Sequence, residues 1–291
     1  MTTFTSLVDE VLLTLYGYGL KQPKAATLRT AVSATDLTFT LSTVEGFAQG
    51  LAEIEGELVF IETVDEDSST VTCSPDGRGY YGTTAVAHDA GKRLEYLPPW
   101  PRQRVKAALN ETLLTVYPTI WGVGTTSFAF SPAVATYTLP DEVDGVLQVT
   151  STVYGPSGNN EPITHYSFNS SDPTGNNTIT INRGGTPGRD ITVVYRKEPT
   201  ELAEGANFTD SGLRESARLA VKLGAVSNLL AYADVARLGT DSAESEAYNE
   251  KNPIGTATRI SLQVYQRFQA ELDAERRRLL KITPTRLTVS R

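Results

Sequence analysis

Hydrophobic residues are arranged along the chain with two different periods, which occupy separate blocks. Spacings of three and four residues, typical of amphipathic helices, occur in four of these blocks. The four predicted helices cover residues 6–18, 101–117, 210–238 and 256–282. The third block is close to apolar on most sides, so we expect it to form the most buried helix.

Local signals at the ends of these blocks set the expected helix boundaries. Ser6 and Asp9 have the spacing of an N-terminal capping box, and Gly17 and Gly19 are expected to end the first helix. Pro101 starts the second block, and Pro118 is expected to stop it. These boundaries therefore depend on capping residues and prolines rather than on periodicity.

A period of two residues marks the remaining blocks and predicts β-strands. Residues 24–97 are expected to form a small β unit. Its four predicted strands cover residues 37–43, 56–64, 68–74 and 92–97. Residues 123–204 contain more short alternating runs, separated by turn-forming stretches such as "GPSGNN" and "RGGTPGRD". Their spacing is typical of a β-sandwich or barrel.

Together these blocks predict an α+β protein with a bundle of about four helices, two inserted antiparallel β modules and an extended C-terminal arm. The predicted helical bundle comprises residues 1–23, 98–122 and 205–282. The predicted insertions are the small β unit at 24–97 and the sandwich- or barrel-like module at 123–204. The predicted arm covers residues 283–291.

Composition and charge exclude several classes of protein. The 291 residues include 34 acidic and 26 basic side chains, and the net charge of −8 argues against polyanion binding by the chain as a whole. A single cysteine excludes an internal disulfide framework. One cysteine and two histidines are also too few for a zinc site built from these residues alone. No apolar run could span a bilayer, and the first residues lack the basic start of a signal peptide. We therefore expect synthesis in the cytoplasm, and no cofactor.

The stretch "RGYYGTTAVAHDAGKRL", residues 78–94, holds one of the two histidines and follows the only cysteine. A nucleophilic site here would use Cys73, His88 and Asp89 as thiol, base and orienting carboxylate. Cys73 lies in an alternating strand, however, where a packing role is favoured over catalysis. We expect a folded connector between two strands and no enzymatic activity.

The connector hypothesis assigns a role to each kind of residue in this stretch. The residues concerned are Arg78, Gly79, Gly82, Thr83, Thr84, His88 and Gly91. Gly79 and Gly82 are expected to adopt positive φ, and the arginine is expected to bind an acceptor across the loop. Gly91 is expected to end a short helical turn, where the chain reverses into the next strand. One of the threonines is expected to cap a single helical turn that contains the histidine.

Charged clusters suggest two further candidate sites. The acidic run at residues 65–67 lacks the ligand spacing of a calcium loop and is expected to form a hairpin turn. Basic residues gather at the C-terminal end, at Arg276, Arg277, Arg278, Lys281, Arg286 and Arg291. Three explanations stay open for them: a favourable interaction with the helix dipole, docking of the "TRLTVS" segment to a partner, or contact with nucleic acid.

Two features of the chain resemble the head-to-tail adaptor (connector) proteins of tailed bacteriophages, particularly those of phages that infect actinobacteria. Residues 78–94 resemble the RG-x-x-GTTA-x-AH-x-AG connector found in β modules of phage virion proteins, and they follow "GELVFIETVDEDSSTVTCS". The order of an N-terminal helix, β insertions, long helices and an extended tail is similar as well. "ATYTLPDEVDGVLQV" and "DITVVYRKEPTEL" also resemble the β module of tubular tail and gatekeeper proteins of short-tailed phages.

This resemblance implies a non-enzymatic protein of the virion neck, made in the host cytoplasm. It implies a homo-oligomeric ring, usually of twelve copies, between the portal protein and a downstream neck or tail protein. DNA would pass through the lumen without sequence-specific binding, and no membrane would be contacted. The residues that would dock into the portal are Arg276, Arg277, Arg278, Lys281, Arg286, Leu287, Val289 and Arg291.

Three alternative functions stay open at this point. The first is another neck or tail structural protein, such as a stopper, a tail-completion protein or a minor tail protein. The second is a host-wall carbohydrate-binding or hydrolytic module that uses Tyr137, Tyr154, Tyr166 and Phe168, although the sequence marks no catalytic pair of carboxylates. The third is direct binding of duplex DNA through residues 276–278.

Overall fold

The structure, a computed structural model, describes residues 2–18, 23–152, 160–170, 175–237 and 256–282. Its four α-helices are α1 (Phe4–Tyr18), α2 (Arg102–Thr115), α3 (Arg218–Arg237) and α4 (Thr256–Ile282). Several antiparallel sheets accompany these helices, so the predicted α+β class is confirmed. In the described parts of the chain, no helix combines the length and the hydropathy that a membrane span requires.

The chain divides into two compact units. One unit is Val8–Ala108, and the other comprises Met1–Leu7 and Leu109–Arg291. The predicted division into a helical bundle and two insertions, with an arm, stays a prediction.

The first unit contains a six-stranded antiparallel sheet. Its strands are β1 (Lys24–Thr27), β2 (Thr38–Thr40), β3 (Gly50–Ile54), β4 (Glu57–Asp65), β5 (Thr70–Cys73) and β6 (Arg93–Tyr96), in the order β1-β6-β3-β4-β5-β2. An isolated bridge between Leu28 and Leu41 joins the ends of the two edge strands, so the sheet curls around its core. Alternate residues such as Val59 and Ile61 are fully buried there, as the period of two predicts.

The second unit contains a sandwich of two antiparallel sheets. One sheet has the order β10-β9-β13-β7 and the other β11-β12-β8. The strands are β7 (Gly122–Ala129), β8 (Thr136–Thr138), β9 (Gly145–Ser151), β10 (Glu161–Pro162), β11 (His165–Asn169), β12 (Thr178–Arg183) and β13 (Asp190–Lys197). Ile179 of one sheet and Val193 of the other share a single buried core, which confirms the predicted sandwich.

Helices α2, α3 and α4 pack closely in the second unit, at a point where α3 has a glycine. A Cβ atom built on Gly224 would lie 2.5 Å from Cγ2 of Thr112 and 3.1 Å from Cε2 of Phe268. Ser227 and Ser261 exchange hydroxyl-to-carbonyl hydrogen bonds between α3 and α4. Most described side chains of α3 are buried, as expected from its apolar composition.

Two predicted helix starts are wrong for identifiable reasons. Helix α1 begins at Phe4 because the Thr3 hydroxyl accepts the amide of Ser6, so Ser6 lies inside the helix and does not form a capping box with Asp9. Helix α3 begins at Arg218 instead of residue 210, because Gly212 has a φ of +87° and only short 3₁₀ turns precede the helix.

Candidate functional site

The connector at residues 78–94 is the best-defined candidate site. It leaves the sheet after β5 and returns at β6, and it contains one 3₁₀ turn at Tyr80–Gly82. His88 lies further along in an extended segment, where its backbone amide and carbonyl both pair with Val32 at 2.9 Å. The predicted helical turn around His88 is therefore wrong.

A buried glutamate at the start of β4 fastens the connector. The Glu57 carboxylate accepts hydrogen bonds from Nε of Arg78 at 2.6 Å and from a second guanidinium nitrogen at 3.1 Å. It also accepts the amides of Gly79 at 3.0 Å and Val86 at 3.1 Å, and it lies 2.9 Å from Nε2 of His88. The side chain of Glu57 is 1% exposed and that of Arg78 is 5% exposed. We call these residues, Glu57, Arg78 and His88, the connector clasp.

The charge of Glu57 is stabilised within the clasp. Burial acts to raise the pKa of its carboxyl group, but hydrogen bonds from Arg78, the Val86 amide, His88 and the Gly79 amide outweigh burial and lower the pKa. The remaining Arg78 donors bind the carbonyl oxygens of Ser33, Asp36 and Val86 at 2.6–2.9 Å. Arg78 thus ties together three separate stretches of the chain, as its predicted role requires.

His88 is enclosed by carboxylates on both sides of its ring. Nδ1 lies 3.0 Å from an oxygen of Glu55, while Nε2 faces Glu57, and the imidazole is 0% exposed. The ammonium of Lys92 pairs with the other oxygen of Glu55. Both ring nitrogens are thus occupied by partners within the chain.

The glycines and threonines of the connector differ in their roles. Gly79 and Gly82 have φ values of +61° and +78°, as predicted. Gly91 has a φ of +86°, but it lies in a turn before β6 and does not end a helical turn as expected. Thr83 does not cap a helical turn around His88; its hydroxyl accepts the amide of Leu58 at 3.0 Å and donates to the Tyr80 carbonyl. Thr84 is exposed in the extended segment, so the expectation that one of these threonines caps such a turn is wrong.

Cys73 is packed in the core of the first unit. It is 1% exposed at the end of β5, and burial raises the pKa of its thiol to about 11. A thiol with this pKa holds very little thiolate at neutral pH, which is the form that a nucleophile needs. The ring nitrogens of His88 are meanwhile directed to Glu55 and Glu57.

We expect Cys73 to react with a thiol reagent far more slowly in the native protein than in the unfolded protein. A pKa raised by two units lowers the thiolate fraction about 100-fold, and burial slows the reaction further. Ellman's reagent with and without denaturant measures both rates. Fast labelling of the native protein would contradict the packing role of Cys73 and favour a nucleophilic one.

The acidic run at residues 65–67 forms the expected hairpin turn. Oδ1 of Asp65 accepts the amides of Asp67 at 3.1 Å and Ser68 at 3.4 Å. A hydrogen bond from the Ser68 hydroxyl, together with these two amide hydrogen bonds, lowers the pKa of Asp65. Among the described residues, no group of three or more His, Cys, Asp or Glu side chains is placed to hold a metal ion.

The aromatic residues considered for carbohydrate binding pack on the core of the sandwich. Tyr137 stacks on Phe128 with ring centroids 4.1 Å apart, and its hydroxyl donates to the Ser131 carbonyl. Tyr166 and Phe168 also pack against this core, while Tyr154 lies outside the described residues. These contacts support a packing role for the described members of the set.

The basic residues expected to dock a partner fall into two groups. Arg276, Arg277, Arg278 and Lys281 lie on α4 with exposed side chains, and Arg278 pairs with the buried Glu275 at 3.0 Å. Only Lys281 lies in the last turn of α4, so the helix dipole does not account for the three arginines. The others, Arg286, Leu287, Val289 and Arg291, lie outside the described residues.

The partners of the connector were not found from the sequence. Glu55 and Glu57 flank Gly56 in the β3–β4 turn, more than twenty residues before Arg78 and His88. The available signal was a glutamate directly before the apolar run at residues 58–61, because such a carboxylate needs a cationic partner when it is buried. Comparison of the chain with protein-family models and with curated proteins gives no match.

Proposed function

We propose that this chain is a non-enzymatic structural protein of a phage virion, a head-to-tail adaptor that forms a ring between portal and tail. The observation that supports this proposal best is the connector clasp. Arg78 and His88, two residues of the stretch that resembles phage virion proteins, are both bound to Glu57. They fix the shape of the connector, and both ring nitrogens of His88 are engaged by carboxylates.

The interior of the first unit also favours a structural role over an enzymatic one. The thiol of Cys73 is buried with a pKa of about 11, and the guanidinium of Arg78 is saturated by a carboxylate and three carbonyl groups. Groups that are held in this way stabilise one rigid arrangement of the first unit. A ring subunit requires such rigidity.

The proposed portal contact uses the C-terminal part of α4 and residues 283–291. The exposed cations of α4 contrast with the net charge of −8 for the whole chain, so they are suited to an acidic or polar partner surface. We assign DNA only a passage through the lumen, because an acidic chain binds phosphates weakly and lets the duplex slide.

Electron microscopy of the purified protein with portal protein tests the proposal. We expect rotationally symmetric particles with a central hole. The proposed number of subunits in each ring is twelve. A protein that stays monomeric in the presence of portal and instead binds or cleaves cell-wall glycan would overturn the adaptor proposal. Binding to a downstream tail protein without portal would favour a stopper or tail-completion role.

Reversing the charges at the C-terminal end of α4 tests the assignment of these residues to portal docking, independently of the proposed adaptor role. We expect the triple variant Arg276→Glu, Arg277→Glu, Lys281→Glu to bind portal at least about tenfold more weakly, because rim charges steer association and repel when reversed. The matched control is Arg259→Glu with Arg267→Glu, two exposed arginines nearer the start of the same helix. Equal losses in both variants, measured by surface plasmon resonance, would contradict the docking assignment.

A further inference from the structure

A second buried glutamate in the first unit lies next to another carboxylate. Glu53 of β3 is 7% exposed, and its register partner on β6 is Glu95. The flanking residues Ala52 and Ile54 belong to the core of the curled sheet. Because side chains alternate across a strand, Glu53 and Glu95 lie together on the opposite face.

The N-terminal end of helix α2 contacts the side chain of Glu53. The backbone amide of Arg102, the first residue of α2, donates to Oε1 of Glu53 at 2.9 Å. A carboxyl group at this point satisfies one of the amides that a helix start leaves without a partner. Glu53 therefore connects the first turn of α2 to the sheet.

The groups that face this pair come from every neighbouring element. Helix α1 contributes Tyr16, whose hydroxyl donates to Glu95 at 3.1 Å, and Arg93 of β6 pairs with Glu95 at 3.1 Å. Helix α2 contributes Arg102 and Lys106, and Arg102 is itself paired with Asp9 of α1 at 2.7 Å. On its other side, Glu53 has the apolar Leu58 of β4 as its register partner.

The negative charge of the Glu53 carboxylate is less well stabilised than that of Glu57. Among the described residues, its carboxylate accepts a hydrogen bond from the Arg102 backbone amide rather than from a guanidinium, and its negative neighbour Glu95 disfavours a second charge. Burial, with a smaller contribution from Glu95, raises the pKa of Glu53 to about 7, although the Arg102 amide and the charges of Arg102 and Lys106 act to lower it.

We propose that the Glu53 carboxyl group is a proton-dependent latch for the first turn of α2. In its neutral form it stays buried beside the Arg102 amide, next to Glu95. When it loses its proton, the charge is poorly accommodated between the sheet and the helix, and states that expose it to water become more populated. The start of α2 then opens more often from the sheet.

The direction of the pH effect follows from the raised pKa. A group whose pKa is raised in the closed state favours that state below its ordinary value, here 4.5, and the advantage is lost as pH rises towards 7. The opening equilibrium constant is expected to rise on the order of tenfold per pH unit within this window and to level off above it.

Hydrogen exchange measured by mass spectrometry on peptides that cover the first turn of α2 tests the latch. After correction for the intrinsic exchange rate, we expect protection of these amides to fall on the order of 10- to 100-fold between pH 5 and 7.5. The Glu53→Gln variant keeps an acceptor for the Arg102 amide but cannot ionise, so its protection should be independent of pH. The control Glu62→Gln removes an exposed carboxylate from β4 and should behave as wild type.

Glu95→Gln gives a graded test, because loss of the neighbouring charge should move the transition to lower pH. The carboxyl carbon of Glu53, followed by NMR in the wild-type protein, provides a measurement that does not depend on a variant. Titration of that carbon near the ordinary glutamate value, or equal pH dependence in wild type and Glu53→Gln, would overturn the latch.

Discussion

Replacement of Arg78 by alanine is expected to lower the free energy of unfolding by about 3–5 kcal/mol, the cost of leaving one member of a buried ion pair alone. In the wild-type protein, the pairing with Arg78 stabilises the buried charge of Glu57, and the variant would leave that charge without its guanidinium partner. The carbonyls of Ser33 and Asp36 would lose the hydrogen bonds from Arg78. The guanidinium also lies 5.1 Å from the centroid of the Phe39 ring, so packing is lost as well. Urea unfolding monitored by circular dichroism measures the effect.

The effect of Arg78→Ala should depend on pH in a defined direction. The lowered pKa of Glu57 contributes stability above the ordinary glutamate value, and this contribution is lost as pH falls through the lowered pKa. The difference between wild type and variant should therefore be largest near neutral pH and smaller in acid. The control is Arg29→Ala, which removes an exposed arginine of the same unit bonded to the Ser42 carbonyl and should change stability by less than about 1 kcal/mol.

If Arg78→Ala and Arg29→Ala destabilise the protein equally, the connector clasp does not carry the stability assigned to it. Arg78→Lys refines the test, because lysine keeps the charge but cannot reproduce a two-point contact with a carboxylate. Its expected loss lies between those of wild type and Arg78→Ala.

The sequence predicted local structure well where a residue type determines its own geometry. Positive φ is predicted for Gly79 and Gly82 from their positions beside an aromatic pair in a turn-rich stretch, and both adopt it. Periodicity placed α4 correctly at Thr256–Ile282, because a long amphipathic pattern leaves little ambiguity. These features depend on neighbours within a few residues.

Features that depend on distant contacts were missed. Strand β1 (Lys24–Thr27) has four residues and β3 (Gly50–Ile54) carries a buried glutamate, so neither shows a clean alternation. The pairing of Glu53 with Glu95 arises only from the register of β3 on β6. His88 was placed in a helical turn because its extended pairing with Val32, 56 positions earlier, leaves no local signal.

Substitution of Gly79 by alanine is the second large effect that we expect, at about 2–4 kcal/mol of destabilisation. A left-handed backbone disfavours any residue with a Cβ by about 1–2 kcal/mol. At Gly79 the added Cβ would also lie 2.7 Å from the Thr83 carbonyl oxygen and 3.1 Å from the Ala85 amide nitrogen. Both atoms belong to the backbone, so the connector must move, and the Gly79 amide would be displaced from Glu57.

Gly82 provides the matched control, because its φ of +78° imposes a similar backbone penalty while no atom lies within 4 Å of an added Cβ. Gly82→Ala should therefore cost only about 1–2 kcal/mol, and the difference between the variants isolates the close approach at Gly79. Chemical unfolding of both variants gives this difference, and exchange at the Val86 amide reports whether the connector has left Glu57. Equal losses of unfolding free energy in the two variants would mean that the connector backbone moves at Gly79 without cost. Such a connector could not act as the rigid element that the adaptor proposal requires.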